Sequence, residues 1–233
     1  MSSIRDAEWL VHGTVGKSGT VGSLLPSSFE AFCRLFHSAW NDSGATPVPV
    51  RWAEVAASQA TIFHPAAEWG PTARAWSLPP HGSMWTRPPT IGSLDEASAA
   101  QLAEILVAYT RATSFALAVW RGYGARRAPW TLSRPAFALS LPQREYEVVV
   151  GSANELGLSV LEPHHYQSAN IWWPEDRSWC VVTEIDLMTS YIGGSRECID
   201  RVVSAPALES LEISAKQAVT WDADTINPSV GTP

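Results

Sequence analysis

Strand-like segments succeed one another through the second half of this chain without a helical period to separate them. Phe115 to Trp120 and Phe137 to Leu141 are apolar on both faces, whereas Arg144 to Val150 alternates Glu145, Glu147 and Val149 against Tyr146, Val148 and Val150. Trp179 to Leu187 starts apolar on both faces and then places Glu184 and Asp186 two residues apart, on one face of the strand. Parallel neighbours need a long crossover, usually a helix, so strands without intervening helices predict a mainly antiparallel sheet. The expected class is therefore α+β, a mainly antiparallel sheet with helices packed on one side. The first two strands are expected at its centre and the third half-solvated.

Helices are expected where apolar residues recur at helical spacing behind a capping signal. Ser27 and Glu30 have capping-box spacing ahead of Phe29, Phe32, Cys33 and Phe36, which predicts a helix over 28–40. Pro47 and Pro49 introduce a shorter one over 50–59. Ser93 and Glu96 precede the stripe of Leu102, Ile105, Leu106 and Tyr109, which predicts a helix over 94–110. Gly193-Gly194 reads as a turn, Ser195 as the cap of a helix through about Ser204, and Leu208 to Ile213 as a last strand. From His64 to Gly92 six prolines and Trp69, Trp76 and Trp85 show no period, the pattern of a functional lid or of a boundary between subdomains. Residues 1–219 are expected to form a single domain, with 64–92 the place for any subdomain break, and 220–233 a disordered tail.

With 45% hydrophobic residues, 233 residues suffice for a substantial core. Against 16 Lys and Arg stand 23 Asp and Glu, and the net charge of -7 disfavours nucleic acid, whose phosphates are neutralised by cations. Arg5, Asp6 and Glu8 interrupt any N-terminal secretory stretch, and the apolar runs are too short to cross a bilayer, so a cytoplasmic protein without membrane contact is expected. Cys33, Cys180 and Cys198 read as reduced, packed thiols.

Few motifs carry chemistry. Gly16-Lys17-Ser18 matches the end of a phosphate-binding loop, but Val11 stands where its first glycine belongs. Of the histidines, only His164-His165 beside Glu162 approaches a ligand cluster, and neighbours on an extended segment point apart. No G-x-S-x-G elbow is present. Arg121, Arg126, Arg127 and Arg134, interleaved with Tyr123 and Trp130, read as a solvated loop or an anion-holding segment. The densest stretch is Ser168 to Trp179, in which Trp172, Trp173 and Trp179 accompany Asp176 and Arg177. It reads either as a recognition edge or as a core corner, with Asp176 bonding local amides.

The stretches Gly19 to Pro26, Ala118 to Gly124, Arg144 to Tyr146, Asn170 to Asp186 and Tyr191 to Ser195 resemble a group of uncharacterised actinobacterial proteins. That resemblance implies no activity and carries over no site residue. The Gly22-x-x-Leu-Pro26 entry and the late strand leading to a Ser195-capped helix are similar to the SUKH superfamily, which includes many toxin-immunity proteins. A noncatalytic module that binds another protein is therefore expected, using Trp172, Trp173, Asp176, Arg177, Trp179, Glu184 and Asp186, with no metal and no cofactor. The competing expectation is an enzyme or small-molecule binder roofed by 64–92, with Glu184 and Asp186 as acid and base and Arg177 orienting an anion.

Overall fold

The computed structural model describes residues 4, 7–14, 18–124, 127–142, 144–161 and 166–231. Among them, eight strands form one antiparallel sheet: β1 (Ala31–Phe36), β4 (Phe115–Trp120), β5 (Ala136–Leu141), β6 (Arg144–Gly151), β7 (Ile171–Pro174), β8 (Cys180–Thr183), β9 (Thr189–Gly194) and β10 (Ser210–Ile213). Their spatial order is β10-β1-β9-β8-β7-β4-β6-β5, and every recorded pairing is antiparallel. A separate hairpin pairs β2 (Ala39–Asn41) with β3 (Val48–Val50).

Both faces of the sheet are covered. The larger helices, α4 (Glu96–Val107) and α6 (Arg196–Val203), pack on one face, where Cys33, Leu117, Trp172, Trp179, Val181 and Ile192 meet Leu102, Leu106, Ile199 and Val202. The N-terminal helix α1 (Glu8–Thr14), the turn at Val21–Ser23 and residues near Val219 cover the other, over Phe32, Trp173, Cys180, Val182 and Tyr191. The helices α2 (Trp52–Gln59) and α3 (Trp69–Ala73) build an annex with the hairpin beyond the end of β1. There the rings of Phe36, Trp52, Trp69 and Trp85 meet edge to face in series, with centroids 5.0, 5.2 and 5.0 Å apart. Such contacts add to the large area each indole buries.

Several sequence expectations change. The helix predicted over 28–40 is strand β1, buried on both faces between β10 and β9. A doubly buried strand shows no alternation of apolar and polar residues, so its apolar residues satisfy a helical period as readily as any other. The expected capping glutamate, Glu30, instead accepts the Arg196 backbone N–H at the start of α6. The cap of α4 is Asp95, which accepts from Ser98 N, while Ser93 bonds Leu94 O. Gly193 and Gly194 lie in β9, and a side chain at 193 would sit 2.5 Å from the Phe29 ring packed over it. Strand β5 is an edge strand, paired with β6 at the end of the sheet, and Ala136, Ala138 and Ser140 on one of its faces are solvent-exposed. Residues 64–92 are largely a structural part of the annex, with Trp69 and Trp85 buried. The segment expected as a disordered tail docks on that annex. Asp224 and Asn227 are buried, Asp224 accepts from Asn227 N and meets His64 Nε2 at 3.0 Å, and the Asn227 amide exchanges two hydrogen bonds with the backbone of Ile62. Tails without apolar anchors escape sequence detection, because polar side chains signal solvent unless their partners are known.

One charged residue stands in the middle of β1. Arg34 is 1% exposed, pairs with Glu68 at 2.7 Å, donates to Pro65 O at 3.1 Å and lies over the Phe36 and Tyr191 rings. Burial raises the Glu68 carboxyl, and the guanidinium opposes that rise. Glu68 in turn places α3, whose first residue follows it, so the pair joins sheet and annex. Removing one member of such a pair strands the other charge in a low-dielectric interior, at about 3–5 kcal/mol. Glu68→Leu is expected to lose about that much stability in urea unfolding, and Arg34→Met/Glu68→Leu to regain most of it. A double variant as unstable as the single one would show that the ion pair itself is not what Glu68 contributes.

Candidate functional site

The polar residues concentrate at one end of the sheet, where β1 finishes, β9 begins and the 184–188 turn joins β8 to β9. Segment 90–93 crosses this end. Gly92 N donates to Leu187 O at 2.9 Å, and with φ at 73° a Cβ at Gly92 would meet Ile185 O at 2.8 Å, so only glycine fits both conformation and approach. Beneath the crossing lies a buried chain of hydrogen bonds. His37 Nδ1 meets Thr90 O at 2.7 Å, His37 Nε2 meets Ser190 Oγ at 2.9 Å, and Ser190 Oγ meets Thr183 Oγ1 at 2.6 Å. A carbonyl only accepts, so Nδ1 carries the proton, Nε2 accepts from Ser190, and Ser190 accepts from Thr183. Burial drives the imidazole from its ordinary 6.5 down to about 4, and His37 is neutral at pH 7.

Asn170 closes the gap where β4, β7 and β8 diverge. Its side-chain carbonyl accepts from Trp120 N at 2.9 Å, and its amide donates to Tyr123 Oη and to Thr183 O, each at 3.3 Å. Gln167 Nε2 donates to Gly92 O at 2.9 Å, and Tyr123 Oη donates to the same carbonyl at 3.4 Å. Outside this sealed layer, Arg144 at the start of β6 reaches both Glu184 Oε1 at 2.9 Å and Asp186 Oδ2 at 2.6 Å. Glu184 is mostly covered, but the Asp186 side chain is 71% exposed.

The residues expected to form one recognition segment separate to opposite ends of the sheet. Trp172, Trp173 and Trp179 are each 1% exposed or less and belong to the cores on its two faces, so none offers a recognition surface. Asp176 and Arg177 occupy the turn between β7 and β8, while Glu184 and Asp186 lie beyond the far end of β8. A four-residue strand separates the two turns by about 13 Å. Burial acts to raise the Asp176 carboxyl, but hydrogen bonds from Thr110, Ser178 and Arg111 N hold it below its usual value. Asp176 thereby fastens the 110–114 loop, and Arg177, at φ 57°, lies over the Trp9 ring. Arg144, not Arg177, faces Glu184 and Asp186, which stand on a turn instead of a strand. The acid, base and anion-orienting set expected from sequence therefore does not assemble.

The remaining candidates are also distributed. Of the expected basic segment, Arg127 pairs with Glu147 and Arg134 with Glu155, while Arg126 lies outside the described residues. Gly16-Lys17 and Glu162 with His164-His165 lie outside the described residues. All three cysteines are free and buried, and burial pushes their thiols up, that of Cys198 to about 12. Among the described residues no three His, Cys, Asp or Glu side chains gather as metal ligands, and no helix is long and apolar enough to cross a membrane. Comparison with family models, curated proteins and solved structures finds no match.

Sequence reasoning missed His37, Ser190 and Arg144. The two turns that gather Arg144, Glu184 and Asp186 are set by strand order, which is not local in sequence. Arg34 did leave a signal, a lone cation inside the otherwise apolar run from Ala31 to Phe36. The His37 chain has a pH signature. The unfolded chain takes up a proton near 6.5 while the folded one resists until about 4, so stability falls as pH drops through that window. Relative to His37→Gln, the wild type is expected to lose about 3 kcal/mol between pH 6.5 and 4 in denaturant titrations. Parallel pH profiles for the two proteins would show that His37 is not buried as the neutral form.

Proposed function

We propose that this protein is a noncatalytic binding module that engages a protein partner through the acidic sheet end around Asp186. The observation that carries the reading is the partition of polar groups at that end. His37, Ser190 and Thr183 spend their hydrogen-bonding capacity on one another and on the backbone, beneath 90–93. Outside them, Arg144 holds Glu184 and Asp186 in a fixed arrangement, and the Asp186 carboxylate remains open to solvent. An ordered, partly neutralised pair of carboxylates suits recognition of a cationic protein surface, where complementary charge steers encounter and fixes register. A net charge of -7 favours the same class of partner. Immunity proteins, the class to which the Gly22-to-Pro26 entry and the Ser195-capped helix are similar, work as binders of this kind, so inhibition of a basic toxin domain is the specific form we propose.

The test uses the full chain, immobilised, in lysate from cells that express it naturally, with Asp186→Lys as the charge-reversed variant. The Asp186 side chain is mostly exposed, so the variant is expected to fold and to melt within a few degrees of the wild type. The expected result is one stoichiometric protein captured by the wild type, released by raised salt and absent from the charge-reversed variant. Equal capture by both proteins, or no stoichiometric partner, overturns the assignment.

A further inference from the structure

The two edges of the sheet are built differently. Strand β10 is four residues long, carries Glu212 held by Arg196, and packs Leu211 against the annex. Short, charged, covered edges resist pairing with other strands. Strand β5 has none of these defences. It runs six residues, Ala-Phe-Ala-Leu-Ser-Leu, without a charge or an internal proline, and pairs only with β6. Among the described residues no backbone hydrogen bond from another segment reaches its outer edge. Its exposed face presents Ala136, Ala138 and Ser140, while Phe137, Leu139 and Leu141 lie against the core on the N-terminal side of the sheet.

We infer that β5 is a self-association edge, on which a second copy of this chain adds its own β5 antiparallel about a twofold axis at Ala138. The sequence of the strand is what selects a second copy as the occupant. Antiparallel pairing centred on residue 138 sets Ala138 against Ala138, Ala136 against Ser140 and Phe137 against Leu139. Small side chains then meet small ones on the open face and large apolar ones meet on the core side, the self-complementarity that a twofold interface requires. The absence of charge on β5 also matters, because two chains of net charge -7 then approach without opposing like charges at the seam. The pairing joins two eight-stranded sheets into one. A single six-residue seam buries less than the roughly 1,600 Å² of a standard stable interface, so the dimer is weak and concentration-dependent.

The experiment reads both association and register. Sedimentation velocity of the full chain is expected to show a reversible monomer–dimer equilibrium that Ala138→Glu abolishes, since it sets two carboxylates together on the axis. Residues paired across the axis have Cα atoms about 4.5–5.5 Å apart, within disulfide range. Mild oxidation of Ala138→Cys is therefore expected to give a covalent dimer. Ser140→Cys is expected to give almost none, because four residues of offset part the two thiols by about 13 Å. The native cysteines are buried, so the unmodified chain serves as the control. A wild type that stays monomeric up to millimolar concentration overturns the inference. So does a dimer that survives Ala138→Glu, or cross-linking of Ser140→Cys as efficient as that of Ala138→Cys.

Discussion

A guanidinium enclosed in the second strand from one edge of an eight-stranded sheet fixes the relation between the two parts of this molecule. Arg34 is surrounded by the rings of Phe36 and Tyr191 and pairs directly with the Glu68 carboxylate. That carboxylate comes from the annex, immediately before α3, so the charge is compensated only when annex and sheet are docked. The same arrangement accounts for the docking of the C-terminal segment. Asp224 accepts from Glu68 N and Asn227 N and pairs with His64, which ties residues 224–227 to the loop that presents Glu68. Burying a charge is costly, and the return here is specificity: a partly docked annex leaves Arg34 unpaired, so docking is close to all-or-none.

The indoles play the corresponding apolar role. A sheet covered on both faces needs bulk on both sides, and consecutive residues of a strand supply it alternately. Trp172 and Trp173 illustrate this directly, one in the core beneath α4 and α6 and the other beneath α1. The annex repeats the device with Trp52, Trp69 and Trp85 around Phe36. Six of the twelve tryptophans, Trp52, Trp69, Trp85, Trp172, Trp173 and Trp179, are thus fully buried and fill the cores. These six do not mark a binding face.

That distinction explains what was legible in the sequence. The α+β class, strands β4 and β6, helices α2 and α4 and the Ser195 cap of α6 were all readable, because each rests on local periodicity or a local cap. Strand β1 was not, since burial on both faces erases the alternation that separates strand from helix. The central placement expected of β5 failed for the opposite reason: apolar composition was taken for burial, whereas alanine and serine are small enough to face water at little cost. At the candidate site the carboxylates Glu184 and Asp186 were legible as a pair. Their partner was not, because Arg144 lies forty residues earlier and arrives only through the order β8-β7-β4-β6.

Strand order also decides what the polar end of the sheet is able to do. Antiparallel neighbours bring every second turn to the same end, so the 184–188 turn, the close of β1 and the start of β6 converge there, while Asp176 and Arg177 are carried to the other. Five hydroxyl and amide side chains, of Ser93, Ser168, Asn170, Thr183 and Ser190, are buried at this end together with His37. In an apolar surrounding each would be a liability unless bonded, and each has a recorded partner. A network satisfied throughout is rigid, and rigidity is what a fixed surface array of Arg144, Glu184 and Asp186 needs from the layer beneath it. The buried hydroxyls therefore belong to the scaffold of the acidic surface, and the neutral His37 is the point at which protonation would break both.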